Sequence, residues 1–301
     1  MSLPSLTDFA VTGILFLSLY SIIGVSIAYR LYLHIRHKSS RPRIIFHIVL
    51  LQVILFRLPK AVQFVWLPDA EVWVFAFVST LFATLLLLMT FSYVGVEWAE
   101  VAQSGRVTES RFTVRRIVIW SNVVVFLWAI VACTCIAKFD DTPAGYFAYT
   151  KSGELTSLVV VGSVAAIAAT ILLIVQGLKI RKRLLQSEPY LDENDVHRSM
   201  VRLVLSICII VFTTWIRMFF NLMAVLGVDA FASMSMVPFH VWSDLVPTVF
   251  PVICLLYLQR RLTTTAKITR PNRADSHTTT SKTMMRSYQE SHFTGNNSPP
   301  V

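Results

Sequence analysis

Charged residues are scarce in this sequence. Asp, Glu, Lys and Arg make up 15% of its 301 residues, whereas they approach about a quarter of an ordinary soluble domain. Hydrophobic residues reach 55% and the mean hydropathy is +0.62, which is more apolar surface than one soluble core can bury. The composition therefore excludes an ordinary soluble domain and predicts a membrane protein, in which seven spans of about 23 residues would take up roughly half the chain.

The sequence also has few of the groups that bind metals or perform catalysis. His47 and His240 each stand alone, so no cluster with metal-ligand spacing is present. No nucleophile is accompanied by a base, and the last apolar segment, 237–258, lacks the lysine that a retinal Schiff base requires. We therefore predict a protein that is not an enzyme and holds no metal or cofactor.

Cysteine and acidic residues are few as well. The four cysteines lie in apolar segments, where a thiol behaves as a small hydrophobe, so no external disulfide framework is expected. Basic residues outnumber acidic ones by 27 to 17, giving a net charge of +10. They lie between the apolar segments without interleaved aromatics, which excludes a nucleic-acid-binding surface.

Four segments run for 21 to 25 residues without a charge, long enough to cross a bilayer as helices. Three more apolar segments each contain one or two charged residues. The predicted fold is all-α, a receptor-like bundle of seven transmembrane helices, with six or eight helices if one charged segment is misjudged. The predicted helices are about 9–33, 44–66, 71–98, 114–137, 155–179, 202–226 and 237–258.

The basic residues predict the orientation of the bundle. Loops 34–43, 101–116 and 179–202 and the C-terminal end carry 21 of the 27 Lys and Arg residues, whereas the opposite loops carry only Lys138 and Lys151. Because cytoplasmic loops are enriched in Lys and Arg, the N-terminus is predicted to be outside or lumenal. Residues 262–301 are predicted to be a disordered, basic, Ser/Thr-rich cytosolic tail.

Four charged residues inside the spans form the candidate site, because ionisable groups in lipid usually face the bundle interior. Arg57, Lys60, Arg217 and Asp244 are all predicted to lie in the outer half of the bundle. We expect Asp244 to pair with Arg217, and Arg57 and Lys60 to line the same cavity. Three bases against one acid suit an anionic ligand, and the alternative is a purely structural lock.

Prolines mark kinks beside these charges. Pro59 lies between Arg57 and Lys60, and Pro247 and Pro251 follow Asp244. Each proline frees a backbone carbonyl that a polar interior must satisfy.

A second group of polar residues closes the third span at the cytosolic side. Glu97, Trp98 and Glu100 lie there, with the two carboxylates predicted to be within reach of Arg115 and Arg116 at the start of the fourth span. Such ion pairs usually only fix the geometry of a loop.

A set of residues in the predicted helices follows a recognisable order: Phe46-His47, Arg57, Trp98-Ala99-Glu100, Cys208, Arg217, Pro251, Leu255, Leu256 and Arg260-Arg261. This order resembles the tobamovirus multiplication protein family of plants, which has animal relatives among orphan receptor-like lysosomal proteins. One feature departs from the family, which carries a glutamate three residues before the proline of the seventh helix. Thr248 holds that position here, and Asp244, three residues before Pro247, could replace the acid one turn further out.

The resemblance implies a receptor-like protein of the vacuolar or lysosomal membrane that recruits small GTPases at its cytosolic face. A non-enzymatic scaffold of this kind is our leading hypothesis. A ligand-activated receptor coupled to a G protein is the first alternative, although the third and seventh helices lack the common rhodopsin-type motifs. A transporter of anionic metabolites is the second, and no inverted repeat or broken helix pair is visible for it in the sequence.

Overall fold

The computed structural model describes residues 6–39, 41–67, 72–103, 109–187, 193–226 and 234–268, and all regular structure in these ranges is helical. The all-α prediction is therefore confirmed for the described residues. The helices are α1 (Leu6–Arg36), α2 (Arg41–Leu55), α3 (Leu58–Trp66), α4 (Trp73–Gln103), α5 (Glu109–Ile136), α6 (Pro143–Thr150), α7 (Gly153–Ser187), α8 (Glu193–Val225), α9 (Met236–His240), a π-helical turn (Val241–Leu245) and α10 (Val246–Ile268).

Seven of these helical stretches, within the described ranges, are long and apolar enough to cross a membrane. This number agrees with the prediction and fits an integral multi-pass membrane protein. The second span consists of α2 and α3, and the seventh consists of α9, the π-helical turn and α10. The spans are Asp8–Arg36, Arg41–Trp66, Trp73–Ala99, Arg115–Ile136, Gly153–Gln186, Val196–Val225 and Val237–Gln259.

Large apolar side chains from several spans form one interior core. Phe16 of α1, Phe46 of α2, Phe91 of α4, Leu173 of α7 and Leu255 of α10 are all buried in it. Other faces of the same helices expose Ile, Leu, Val and Phe side chains. Helices that are apolar on every side suit a bundle surrounded by lipid. One side of each helix then packs against the apolar core, and the other contacts the apolar lipid chains.

Glycines lie where pairs of helices approach most closely. A Cβ atom at Gly13 of α1 would lie 2.7 Å from Val65 Cγ2 and 3.0 Å from the Ala61 carbonyl oxygen of α3. A Cβ atom at Gly95 of α4 would lie 2.9 Å from the Leu172 side chain of α7. Small residues at such points let helix backbones approach within a membrane.

A smaller aromatic cluster lies where the third span begins and the fourth span ends. Thr142 accepts a hydrogen bond from the Gly145 N–H at the start of α6, and Pro143 occupies its first turn. Tyr149 of α6 packs against Trp73, whose indole N–H donates to the Asp140 carbonyl oxygen over 3.2 Å. Burial raises the pKa of the Tyr149 phenol well above its usual value, so this cluster stays uncharged.

The end of the last helix differs from the prediction. The chain divides into a unit of residues 1–258 and a second unit of residues 259–301, and α10 runs to Ile268. The last helix therefore runs ten residues past its predicted end at 258, and the disorder of residues 262–301 stays a prediction. No glycine or proline occurs between Pro251 and Pro271, and a proline disfavours helical conformation at the residue before it. Residues 269–301 lie outside the described residues.

The close approach at Gly13 gives a test of this packing. We expect Gly13→Ala to lower the free energy of unfolding by about 1–3 kcal/mol, because the new methyl group would press against α3 backbone. Gly162→Ala is the matched control, since nothing lies within 4 Å of a Cβ atom there. Thermal unfolding of detergent-purified protein, followed by reaction of its cysteines with a fluorescent thiol probe, measures both. Equal effects of the two substitutions would contradict the packing.

Candidate functional site

The second span is interrupted where its charged residues begin. The last turn of α2 tightens, with the Arg57 N–H donating to the Ile54 carbonyl oxygen over 3.0 Å, and Pro59 lies in the first turn of α3. A proline supplies no N–H and favours the first turn of a helix. The break places Arg57 between α2 and α3 with its side chain only 1% exposed.

The seventh span is interrupted at the same site. Residues Val241–Leu245 form a π-helical turn, in which the Val246 N–H bonds to the Val241 carbonyl five residues earlier. Such single turns insert an extra residue into an α-helix and occur frequently at functional sites. This turn carries Asp244, and Pro247 follows directly in α10.

The Asp244 carboxylate joins the two interruptions. Its Oδ1 lies 3.1 Å from Arg57 Nη1, and its Oδ2 lies 2.5 Å from Lys60 Nζ. His240 Nδ1 lies 3.6 Å from the same Oδ2, one turn earlier in the span. Arg57 also donates from Nη2 to Thr84 Oγ1 of α4 over 2.8 Å. One carboxylate therefore connects the second and seventh spans, and Arg57 extends the connection to the third.

Arg217 of α8 makes different contacts from those expected. Its Nε donates to the Ser243 carbonyl oxygen over 3.3 Å, and its Nη2 donates to the Asp244 carbonyl oxygen over 3.2 Å and to Thr248 Oγ1 over 2.6 Å. The Thr248 hydroxyl in turn donates to the Asp244 carbonyl over 2.7 Å. The predicted ion pair between the Asp244 and Arg217 side chains is therefore wrong, since Arg217 binds the backbone of the seventh span.

Pro247 explains this preference of Arg217. In an α-helix the carbonyl of residue 243 would accept the N–H of residue 247, and proline has no N–H to give. The freed Ser243 carbonyl is the one that Arg217 Nε binds. The expectation that a kink proline frees a carbonyl for a polar interior thus holds at Pro247, while Asp244 is left to Arg57 and Lys60.

The site carries more positive than negative charge. Arg57, Lys60 and Arg217 are opposed by Asp244 alone among the residues described at this site. Arg57 and Arg217 are deeply buried, whereas the side chains of Lys60 and Asp244 are 17% and 15% exposed. The site is therefore open at the edge formed by Lys60, His240 and Asp244, which faces the predicted outer side.

Two further polar atoms are buried here without hydrogen-bond partners in the described structure. They are Arg57 Nε and the hydroxyl of Tyr20, which lies beside Thr248 and is fully buried in α1. Buried polar groups are rarely left unpaired, because each loses its hydration without compensation. Tyr20 and Thr84 were not predicted from the sequence, since a tyrosine or threonine in an apolar helix gives no sign of what it contacts.

Thr248 occupies the position where the resembling family carries a glutamate. It is completely buried and hydrogen-bonded to Arg217 and to the Asp244 carbonyl. The acidic group of this chain thus lies one turn earlier, at Asp244. Pro251, the second kink proline, lies inside α10 and is buried.

The residues that close the third span lie near the end of α4. Trp98 is buried, and its ring approaches Gly177 of α7. Glu97 is partly buried in α4, whereas Arg115 and Arg116 are exposed on α5, which begins at Glu109, and their pairing with the two carboxylates stays a prediction. The Glu100 side chain lies outside the described residues. In the described ranges no three His, Cys, Asp or Glu side chains are placed to hold a metal ion.

The ion pair between Arg57 and Asp244 predicts coupled stability effects. Arg57→Met and Asp244→Asn should each lower the free energy of unfolding by about 3–5 kcal/mol, because each leaves a buried partner uncompensated. The double variant should lose clearly less than the sum. The exposed pair Lys138 and Glu154, 3.2 Å apart, is the control, for which Lys138→Met and Glu154→Gln should show no measurable coupling. Additive losses at Arg57 and Asp244 would contradict the pairing.

A second cycle tests the role of Arg217. Pro247→Ala restores an N–H for the Ser243 carbonyl, so Arg217→Met should cost about 1.5 kcal/mol less in that background than in the native chain. Pro251→Ala is the matched control, because it restores an N–H one turn further along, away from the Arg217 acceptors. Thermal and denaturant unfolding in detergent measures all variants. An equal loss from Arg217→Met in the two proline backgrounds would show that Arg217 does not compensate Pro247.

The chain matches no protein-family model, no curated protein and no solved structure. The resemblance to the tobamovirus multiplication family therefore stays a prediction, and the geometry described above carries the functional argument.

Proposed function

We propose that this protein is a non-enzymatic, receptor-like scaffold of an endomembrane, in which the ionic site sets the arrangement of the spans and the cytosolic face recruits partners such as small GTPases. The single observation that carries the proposal is the contact of one buried carboxylate with the interrupted second and seventh spans. Helix interruptions are points at which a span bends. An ion pair between two such points fixes their relative position.

The site extends to most of the bundle. Arg57 connects it to Thr84 in the third span, and Arg217 connects it to the sixth. Switching proteins need an element with two discrete arrangements that a ligand or partner can bias. A buried, multiply bonded carboxylate suits such an element, because breaking its contacts is strongly unfavourable unless other contacts replace them.

The predicted cytosolic face supports partner recruitment. Lys38, just after α1, and Arg41, at the start of α2, are exposed, and so are Lys179, Arg181 and Lys182 near the end of α7. α7 continues to Ser187, eight residues past its predicted end, and α8 begins at Glu193, nine residues before its predicted start. At about 1.5 Å per residue these extensions add roughly 12 Å of helix. A basic helical surface of this kind attracts anionic lipid headgroups and acidic proteins.

Proximity labelling tests this proposal. The full chain carries a biotin ligase at its C-terminus, and its localisation and labelled neighbours are recorded together. We expect a vacuolar or lysosomal signal with small GTPases among the neighbours. We also expect Asp244→Asn to reduce their labelling several-fold at equal protein abundance, because the spans are no longer held together at the site. Lys138→Gln, a change at an exposed ion pair, is the control and should leave labelling unchanged.

The other outcomes separate the alternatives. A plasma-membrane signal with G-protein subunits among the labelled neighbours would contradict the scaffold function and favour a ligand-activated receptor. Labelling of lumenal or extracellular proteins would reverse the predicted orientation. If Asp244→Asn leaves the recruitment of partners unchanged, the ionic site is not required for the cytosolic function.

A transporter of anionic metabolites is a second candidate because of two observations. The positive charge of the site exceeds its negative charge, and two interrupted spans meet there. Transporters commonly place interrupted helices at their substrate sites. Uptake of small organic anions into proteoliposomes should then fall when Arg57 and Arg217 are replaced together by methionine. Uptake that this double change leaves intact, or no uptake by the native protein, would exclude the transporter.

A further inference from the structure

His240 and Lys60 share one oxygen of the Asp244 carboxylate at the open edge of the ionic site. His240 Nδ1 lies 3.4 Å from Lys60 Nζ and 3.6 Å from Asp244 Oδ2. Lys60 Nζ lies 2.5 Å from the same Oδ2. The side chains of the three residues are between 15% and 18% exposed, so protons from the predicted outer side can reach them.

These distances define where the imidazole of His240 carries its proton. An ammonium group can only donate hydrogen bonds, so the contact with Lys60 requires a lone pair on Nδ1 and places the ring proton on Nε2. The longer separation between Nδ1 and Asp244 Oδ2 agrees with this, because it exceeds hydrogen-bond distance and joins two acceptors. The geometry is therefore that of a neutral His240 that accepts a hydrogen bond from Lys60.

The other neighbours of the imidazole are mostly apolar. Among the described residues, the charged groups that face it are Lys60 of α3 and Asp244 of its own span. Arg57 binds the other oxygen of the carboxylate, and Arg217 of α8 binds the backbone behind it. Aromatic rings pack around the imidazole, namely Phe16 of α1, Phe64 of α3 and the adjacent Phe239.

Protonation of His240 would reverse the role of Nδ1. A proton taken from water enters the lone pair that accepted from Lys60, and Nδ1 becomes a donor. The imidazolium then faces the ammonium group of Lys60 with like charge, and the acceptor within its reach is Asp244 Oδ2. The site gains one positive charge, so Lys60 and His240 compete for the same carboxylate oxygen.

Lys60 is the cation that can leave this oxygen. Its ammonium group ends a flexible chain at the edge of the bundle, and such side chains reach water along apolar surface. Arg57, in contrast, is 1% exposed and also donates to Thr84. His240 lies one turn before Asp244, so its new hydrogen bond stays within the seventh span. The exchange would therefore break the contact between Lys60 of α3 and the seventh span.

We infer that His240 is a proton-operated switch of the ionic site, in which protonation transfers Asp244 Oδ2 from Lys60 to His240 and releases α3 from the seventh span. An ordinary imidazole titrates between about pH 5 and 8, and histidines at interfaces act as sensors at about pH 5–6. The inference rests on the proposed endomembrane function only for the acidic lumen that supplies the proton.

Hydrogen–deuterium exchange tests the switch. The full chain is reconstituted in phospholipid nanodiscs, and amide exchange is followed by mass spectrometry at several values between about pH 8 and about pH 4.5. The rates are corrected for the effect of pH on intrinsic exchange. We expect the amides of α3 to exchange about tenfold faster at the acidic end, because α3 has lost its contact with the seventh span. The amides of α7, which does not carry the site, should keep their rates.

Three variants assign the response to the proposed groups. His240→Asn should abolish the acceleration, because the asparagine carbonyl replaces Nδ1 as the acceptor for Lys60 and takes up no proton. His197→Asn, the same change at an exposed histidine of α8, is the control and should retain the acceleration. Lys60→Met should give fast exchange of α3 at every pH, with no further increase on acidification.

Thermal unfolding of the same samples verifies that each variant is folded at every pH. Acceleration that persists in His240→Asn would overturn the inference, since another group would then take up the proton. Exchange of α3 that does not respond to pH in the native chain, or acceleration spread evenly over all spans, would also overturn it. The nanodiscs contain neither an endomembrane nor a partner, so failure of the switch is distinguishable from failure of the proposed function in the labelling experiment.

Discussion

The position of Asp244 is the constraint on which the arrangement of the spans depends. A carboxylate in a low-dielectric interior requires close cations and good hydrogen bonds. Arg57 and Lys60 supply both, and they can do so because α2 and α3 are separated at Arg57. The π-helical turn in the seventh span contributes in the same way as the break at Arg57. It changes the direction in which the Asp244 side chain points. The charges and the helix interruptions are therefore parts of one structure, and neither is accounted for without the other.

The backbone of the seventh span imposes a second constraint, because one of its carbonyl groups needs a hydrogen-bond donor. Pro247 leaves the Ser243 carbonyl without its helical donor, and unsatisfied carbonyls are costly where no water reaches. Arg217 donates to this carbonyl, and it also donates to the Thr248 hydroxyl. The guanidinium is suited to the task because its donors are spread over a planar fork, so that it reaches two carbonyls and a hydroxyl together. A lysine at this position would offer a point charge and could not span the same acceptors.

The sequence predicted the spans well and the pairing within the site poorly, for different physical reasons. Span length follows from the thickness of the bilayer, so uncharged runs such as 72–96 are sufficient to identify a helix. The grouping of Arg57, Lys60 and Asp244 was also predictable, because each charge must leave the lipid. The assignment of Asp244 to Arg217 failed because the π-helical turn and the carbonyl freed by Pro247 decide which cation meets which acceptor. Tyr20 and Thr84 carried no signal, since their role depends on neighbours that are distant in sequence.

The polar residues around Asp244 find their partners within the chain. Around Asp244 most donors and acceptors are matched within the chain, by residues from four spans. Such a group holds helices together, and it can respond to an outside molecule only at its exposed edge near Lys60 and His240.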